Sequence, residues 1–228
     1  MGFRYPKRWI VETRGTVVFD IIGTCFSLEK PRQRLVELGA PAHAVQLWFA
    51  QTLRDAFALS HAGGYRPLKE VLEAELPRTL KVLGVEADAM QLSQVVNSFA
   101  ELESQPDALE AFRLLSEAGW KLIALTNGSE DSTRKLLERA GALQHFASIL
   151  SCDTIQKTKP HPDVYAMAKR DAEGDLWMVA AHAWDIQGAS HAGLKTAFIT
   201  QEEKDYLSVY PQPEIVASNL VEAASKII

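Results

Sequence analysis

The stretch Val17-Val18-Phe19-Asp20-Ile21-Ile22-Gly23-Thr24-Cys25 decides how the chain is read. Three apolar residues make a short buried strand, and a carboxylate stands where it ends. Burying an aspartate at the edge of an apolar run is costly unless hydrogen bonds or a cation satisfy it. Gly23 then allows a tight turn beside it. In an open parallel sheet, ligands bind beyond the carboxyl ends of the strands. Asp20 is therefore read as a site residue, with a strand-capping aspartate in an ordinary turn as the competing reading.

The chain on either side divides into two patterns. From about Leu28 to about Ser104, the segments Arg34 to Leu38, Ala44 to Leu59, Pro67 to Leu83 and Ala87 to Leu102 carry apolar residues at helical spacing. Pro41, Gly63-Gly64, Pro77 and Gly84 punctuate them. With no strand run inside it, this block reads as a helical insertion over the site. Strands and helices alternate after Pro106. Helices are predicted over Asp107 to Ala118, Glu130 to Ala140, Pro162 to Arg170 and Ile186 to Ala192. Strands are predicted over Lys121 to Leu125, Ala147 to Leu150, Leu176 to Ala181 and Lys195 to Ile199. Ile215-Val216 reads as a last short strand before a terminal helix from Leu220. Such alternation makes an α/β fold, a parallel-sheet Rossmann-like core with helices on both faces. Residues 1–27 and 105–228 are assigned to the catalytic core and 28–104 to the helical cap domain.

Composition narrows the class. The chain has 228 residues, a hydrophobic fraction of 47% and a net charge of −5. No basic stripe suggests a nucleic-acid partner. An anionic substrate would need local cations to draw it in. The first fifteen residues carry Arg4, Lys7, Arg8 and Arg14 without the apolar segment of a secretory signal. Trp9, Ile10 and Val11 are expected to pair as an edge strand or pack on the core. No apolar run approaches the ~18 residues of a membrane span. A soluble cytoplasmic protein is expected. Cys25 and Cys152 both read as buried free thiols.

Four strand ends converge in this topology. Asp20 ends the first strand, and Thr126 and Asn127 end the second. Lys159 lies in the loop after the third, and His182 and Asp185 follow the fourth. Parallel strands bring these ends to one edge, where carboxylate, ammonium, amide, hydroxyl and imidazole form a constellation for nucleophilic catalysis with charge stabilisation. An ammonium beside Asp20 favours its ionised form. A histidine beside two carboxylates can exchange a proton near neutral pH. It is read as the base that activates water, with Asp185 orienting it. Trp184, Phe49 and Trp48 are candidate pocket walls. His61 and His191 read as solvated or helix-end residues, and His161 as part of a turn.

These four stretches, Asp20-Ile21-Ile22-Gly23-Thr24, Leu125-Thr126-Asn127-Gly128-Ser129, Lys159-Pro160 and His182-Ala183-Trp184-Asp185, resemble the motifs of the haloacid dehalogenase superfamily. Their wording is nearest to its L-2-haloacid dehalogenase branch, over about Thr16 to Ile199. The resemblance implies that Asp20 is a nucleophile that forms an ester, and that Lys159 and Asp185 are catalytic. It further implies that Thr24, Thr126, Asn127 and Tyr165 hold the nucleophile or substrate. No metal or other cofactor is expected, and a homodimer is plausible by the same resemblance.

The departures from the pattern are informative. Superfamily phosphatases carry a second Asp two positions after the nucleophile, and here that position is Ile22, which transfers no proton. The dehalogenase branch lacks that acid as well, because a halide leaves unprotonated. Its cap arginine, however, aligns with Phe49. Arg54, one turn further on, is the candidate replacement, and Arg66 lies in a following segment. A Ser and an Asn of the branch align with Ala180 and His182. The expected function is displacement of halide from a short 2-haloacid, a small anionic organic acid. A magnesium-dependent phosphatase of the same fold and a non-catalytic acid-binding protein stay open as alternatives.

Overall fold

The computed structural model describes residues 13–228. The segment Trp9 to Val11 lies outside the described residues. Val17 and Val18 are β-branched, and the segment around them is apolar, as a strand covered on both faces requires. β1 (Gly15–Asp20) is buried at every position and sits in the middle of a six-stranded parallel sheet. The other strands are β4 (Trp120–Thr126), β5 (Phe146–Ser151), β6 (Asp175–Ala180), β7 (Lys195–Ile199) and β8 (Ile215–Ala217). Their order is β5-β4-β1-β6-β7-β8, with Asp20 in register with Leu125 and Phe19 in register with Val179. The chain builds outward from β1 in one direction and then returns to build in the other. The sheet order therefore reverses between β1 and β6, which is where such sheets open a ligand crevice.

Alternation along β1 feeds two cores. Val17 and Phe19 pack with α5 (Ala108–Glu117), α6 (Glu130–Arg139) and α9 (Leu220–Ile227). Val18 packs on the other face with α7 (Pro162–Asp171) and α8 (Ala183–His191). Phe112 joins the first core edge-on to Phe19 and Phe146, with ring centroids 5.1 and 4.8 Å away.

Between β1 and β4 the chain forms α1 (Glu29–Glu37), α2 (Ala44–His61), α3 (Leu68–Val82) and α4 (Ala89–Asn97). These helices share an apolar cluster that includes Leu35, Trp48, Leu72, Leu76 and Val95. Two local expectations are corrected here. Pro77 lies inside α3 and does not interrupt it. A strand does intrude at the edge of the block: β2 (Phe26–Ser27) pairs antiparallel with β3 (Glu103–Ser104), tying the outgoing chain to the returning one. Two-residue strands carry no periodicity to read. Trp48 is also reassigned. It is fully buried within the helical cluster, where its indole N–H donates to the Leu72 carbonyl at 3.1 Å.

The three-ring contact in the sheet core supplies a stability test. Phe112→Ala removes a fully buried ring and is expected to cost about 3–5 kcal/mol. Urea unfolding should show a lowered midpoint at an unchanged slope. A loss below about 1 kcal/mol would contradict the packing described.

Candidate active site

Gly23 sets the turn after β1. Its φ is +85°, and a Cβ there would fall 2.6 Å from the His182 Nε2. Glycine is thus required twice, for the backbone and for the approach of the imidazole. The turn brings Thr24 back onto Asp20. The Thr24 hydroxyl donates to Asp20 Oδ2 at 2.6 Å and accepts from the Ala181 N–H at 2.8 Å, which joins the ends of β1 and β6.

Lys159 is the centre of the arrangement. It is completely buried, and its ammonium donates to Asp20 Oδ1 at 2.7 Å, to Asp185 Oδ2 at 2.6 Å and to the Leu125 carbonyl at 3.1 Å. All three of its protons are used. Burial works to strip its charge, but Asp185 and Asp20 outweigh that and hold its pKa above the ordinary lysine value. Asp185 is fully buried in the first turn of α8, a helix that begins at Ala183, three residues before its predicted start. Its other oxygen accepts from the Tyr165 hydroxyl at 2.6 Å. Burial lifts its carboxyl above the usual range, against the pull of Lys159 and Tyr165. Gly188 makes room for Tyr165, since a Cβ there would meet the phenol oxygen at 2.5 Å.

Several expected substrate contacts are instead structural. Tyr165 and Thr126 are completely buried, and the Thr126 hydroxyl accepts from the Gly128 N–H at 3.0 Å. Asn127 Oδ1 accepts from the Lys159 backbone N–H at 3.0 Å and from the Cys152 thiol at 3.1 Å. Burial pushes that thiol up to about 12, so it stays protonated and donates. Asn127 thereby fixes the loop that carries Lys159. Arg54 pairs through two nitrogens with its neighbour Asp55, at 3.0 and 2.9 Å. It is more than half exposed and lies along the rim of the cavity described below. Arg66 points to Glu70 in solvent.

His182 departs most from its expected role. Its Nε2 donates to the Ile22 carbonyl at 3.2 Å and lies 3.8 Å from Asp20 Oδ2. Its Nδ1 faces Glu203, 3.4 Å from Oε1. A carbonyl on one side and a carboxylate on the other are both acceptors, so the ring needs a proton on each nitrogen. Burial opposes that charge, but Glu203, Asp20 and the Ile22 carbonyl outweigh it and raise the pKa above the usual histidine value. With an acceptor facing each nitrogen, His182 is arranged to hold a proton on both, which leaves it no free lone pair to act as a base. The Asp185 carboxylate makes no hydrogen bond or ion pair with the imidazole; Glu203 takes that place. Sequence reasoning missed Glu203 because it lies in a loop after β7 and carries no motif. Its other oxygen accepts from the Ala183 N–H at 2.9 Å, at the start of α8.

The site opens in one direction. A cavity of about 970 Å³ lies between α2 and the core, lined by Phe49, Phe57, Pro160, His182, Trp184 and Glu203 among others. Trp184 stacks on His182 with centroids 5.5 Å apart, and Phe49 flanks the same ring at 6.2 Å. Asp20 itself is only 4% exposed. The imidazolium thus stands between the nucleophile candidate and the cavity. Among the described residues, no group of three or more His, Cys, Asp or Glu side chains is arranged to hold a metal ion.

A crevice at the reversal of a parallel sheet, with a buried Asp–Lys–Asp cluster at its floor, defines an α/β enzyme. A family model for haloacid dehalogenase-like hydrolases matches residues 15–193, and the chain belongs to that family. It is similar to the (S)-2-haloacid dehalogenase of Xanthobacter autotrophicus, with 27% identity over 84% of this chain and 77% of the relative. The corresponding enzyme of Pseudomonas sp. strain YL is 28% identical over 81% and 82%. Among solved structures, the Xanthobacter L-2-haloacid dehalogenase with chloropropionic acid covalently bound superposes with a TM-score of 0.82. It is 24% identical, and the match covers 94% of this chain and 98% of that one.

Removal of the central cation tests the electrostatics. Lys159→Ala leaves two buried carboxylates uncompensated and should cost about 3–5 kcal/mol at pH 7. Without the lysine, folding must raise the Asp185 pKa further above its unfolded value, so the variant takes up protons as it folds. Its deficit should shrink as pH falls from 7 to 5, measured by urea midpoints against the unmodified protein. A deficit that stays constant or grows with acidification would contradict the charge arrangement.

Proposed function

We propose that the protein is a 2-haloacid dehalogenase that works through an ester on Asp20. The observation that carries this reading is the position of Asp20. Its carboxylate lies at the sheet reversal, clamped on one oxygen by Lys159 and on the other by Thr24, with the His182 ring between it and the cavity. The similarity to enzymes named (S)-2-haloacid dehalogenase supports it.

Oδ2, on the His182 side, attacks C2 of the acid while the carbon–halogen bond breaks. The imidazolium of His182 is the positive group facing the cavity next to Asp20, and its charge draws the substrate carboxylate to that side of the site and so orients C2. Oδ1 becomes the ester carbonyl oxygen, already within hydrogen-bond reach of Lys159. When water attacks that carbonyl, the ammonium stabilises the developing oxyanion. Asp185, the second carboxylate of the Lys159 cluster, takes the water's proton and returns it to the departing oxygen as the bond between the Asp20 carboxyl carbon and Oδ2 breaks, releasing the 2-hydroxy acid. The helical block 28–104 acts as the cap that covers this reaction. The two free, buried cysteines fit a reducing, cytoplasmic setting.

The halide receives no guanidinium in this reading, since Phe49 occupies the aligned position and Arg54 is held by Asp55. Bond strength then controls the rate. Halide release should run at least about tenfold faster from bromoacetate than from chloroacetate, with fluoroacetate inert, and Asp20→Asn should abolish it. Both 2-bromopropionate enantiomers belong in the same panel. The missing halide cation equally favours a non-catalytic acid-binding protein, and that reading prevails if no substrate of the panel is turned over.

A pH profile tests the imidazolium. Activity that requires protonated His182 falls as pH rises through its pKa. Glu203→Gln removes a group that raises that pKa, so the alkaline limb of kcat/KM should move to lower pH by about one unit. An unmoved limb, or one moved upward, would contradict the role given to Glu203.

A further inference from the structure

We propose that the cavity selects 2-haloacids with a long apolar substituent, rather than the two- and three-carbon acids; this rests on the dehalogenase reading above. The first argument is size. Counting each of its non-hydrogen groups at about the 30 Å³ of a water molecule, a halopropionate fills roughly a fifth of the 970 Å³ available. Ligand cavities for much larger organic molecules span about 300–1,000 Å³, and this one is at the top of that range.

The second argument is lining. Leu53 and Phe57 of α2 face the cavity from one side, and Pro160 and Trp184 line it from the core. Phe57 packs edge-on to Trp184, with centroids 5.0 Å apart, so the two sides meet as continuous apolar wall. The exposed Arg54 and His61 mark the outer margin, where the helix meets solvent. A patch of this kind next to a reaction centre is disfavoured in water and is covered by an apolar ligand.

The third argument is direction. On the floor of the site Thr24, Lys159, Tyr165 and Asp185 are bonded to one another or to Asp20, and they leave no room for a substituent. An acid whose carboxylate meets His182 and whose C2 meets Asp20 has one way to extend, outward between α2 and Trp184. The cap helix therefore sets chain-length preference, through Leu53 and Phe57.

Two series of straight-chain compounds test this on the intact protein. In the first, bromide release is measured from 2-bromopropionate, 2-bromobutyrate, 2-bromohexanoate, 2-bromooctanoate and 2-bromodecanoate. Each buried methylene is worth about fourfold in affinity, so KM should fall by about two- to fourfold per added carbon up to the octanoate, with kcat changing less. In the second, binding of unhalogenated propionate, hexanoate, octanoate and decanoate is measured by calorimetry, with no chemistry involved. Affinity should rise by the same factor, and Phe57→Asp should flatten both series. Tighter alkanoate binding without bromide release supports the cavity assignment and overturns the dehalogenase reading. Bromide release with a flat or falling length dependence in both series overturns the cavity assignment and leaves the dehalogenase reading intact.

Discussion

The structure depends on one buried ammonium ion. Lys159 joins the carboxylates that end β1 and begin α8, and its third proton is accepted by a carbonyl of β4. Each of these groups alone would be an uncompensated charge or donor in an apolar interior. Together they satisfy one another, and in doing so they tie together three separate parts of the sheet edge. The rest of the floor serves this contact. Asn127 fixes the lysine's own backbone, Tyr165 takes the second oxygen of Asp185, and Thr24 takes the second oxygen of Asp20. A nucleophile held this tightly gives up little orientational freedom on reaching the transition state, which is a principal way an active site lowers a barrier.

A second cation stands one layer higher. With Asp20, Asp185 and Lys159 alone, the floor would carry a net negative charge and repel an anionic acid. The imidazolium of His182 sets a positive group between that floor and the cavity, and Glu203, on the solvent side of the ring, raises its pKa. Trp184 and Phe49 enclose the ring, so its charge is directed at the cavity and at Asp20. The site is therefore layered from the floor outward: a fixed ion cluster, one imidazolium, then apolar walls contributed by both the helical block and the core.

Much of this was legible in the sequence, for identifiable reasons. A fully buried strand such as β1 must be a continuous apolar run, and a charge at its end stands out. The helical block showed its 3.6-residue period because its helices bury one face each. Lys159 was legible through its motif position alone, since nothing in composition separates it from Lys157. The contacts that were not legible join residues far apart in sequence and lack a local pattern. Glu203 approaches His182 only once β6 and β7 lie side by side, so the imidazole was assigned to Asp185, its neighbour in the chain. Thr126, Asn127 and Tyr165 carried the right residue types, but which way each side chain hydrogen-bonds follows from tertiary packing. The β2–β3 ribbon was too short for any periodicity to show.

A single turnover in oxygen-18 water bears most directly on the covalent role of Asp20. Enzyme in excess over a 2-bromoalkanoate is allowed to react once, and the peptide carrying Asp20 and the hydroxy acid are both weighed by mass spectrometry. Attack by water on an ester carbonyl leaves one heavy oxygen in the Asp20 carboxylate and none in the product of that first cycle. Heavy oxygen found in the hydroxy acid, with Asp20 unlabelled, would show that water attacks the substrate directly and would contradict the account.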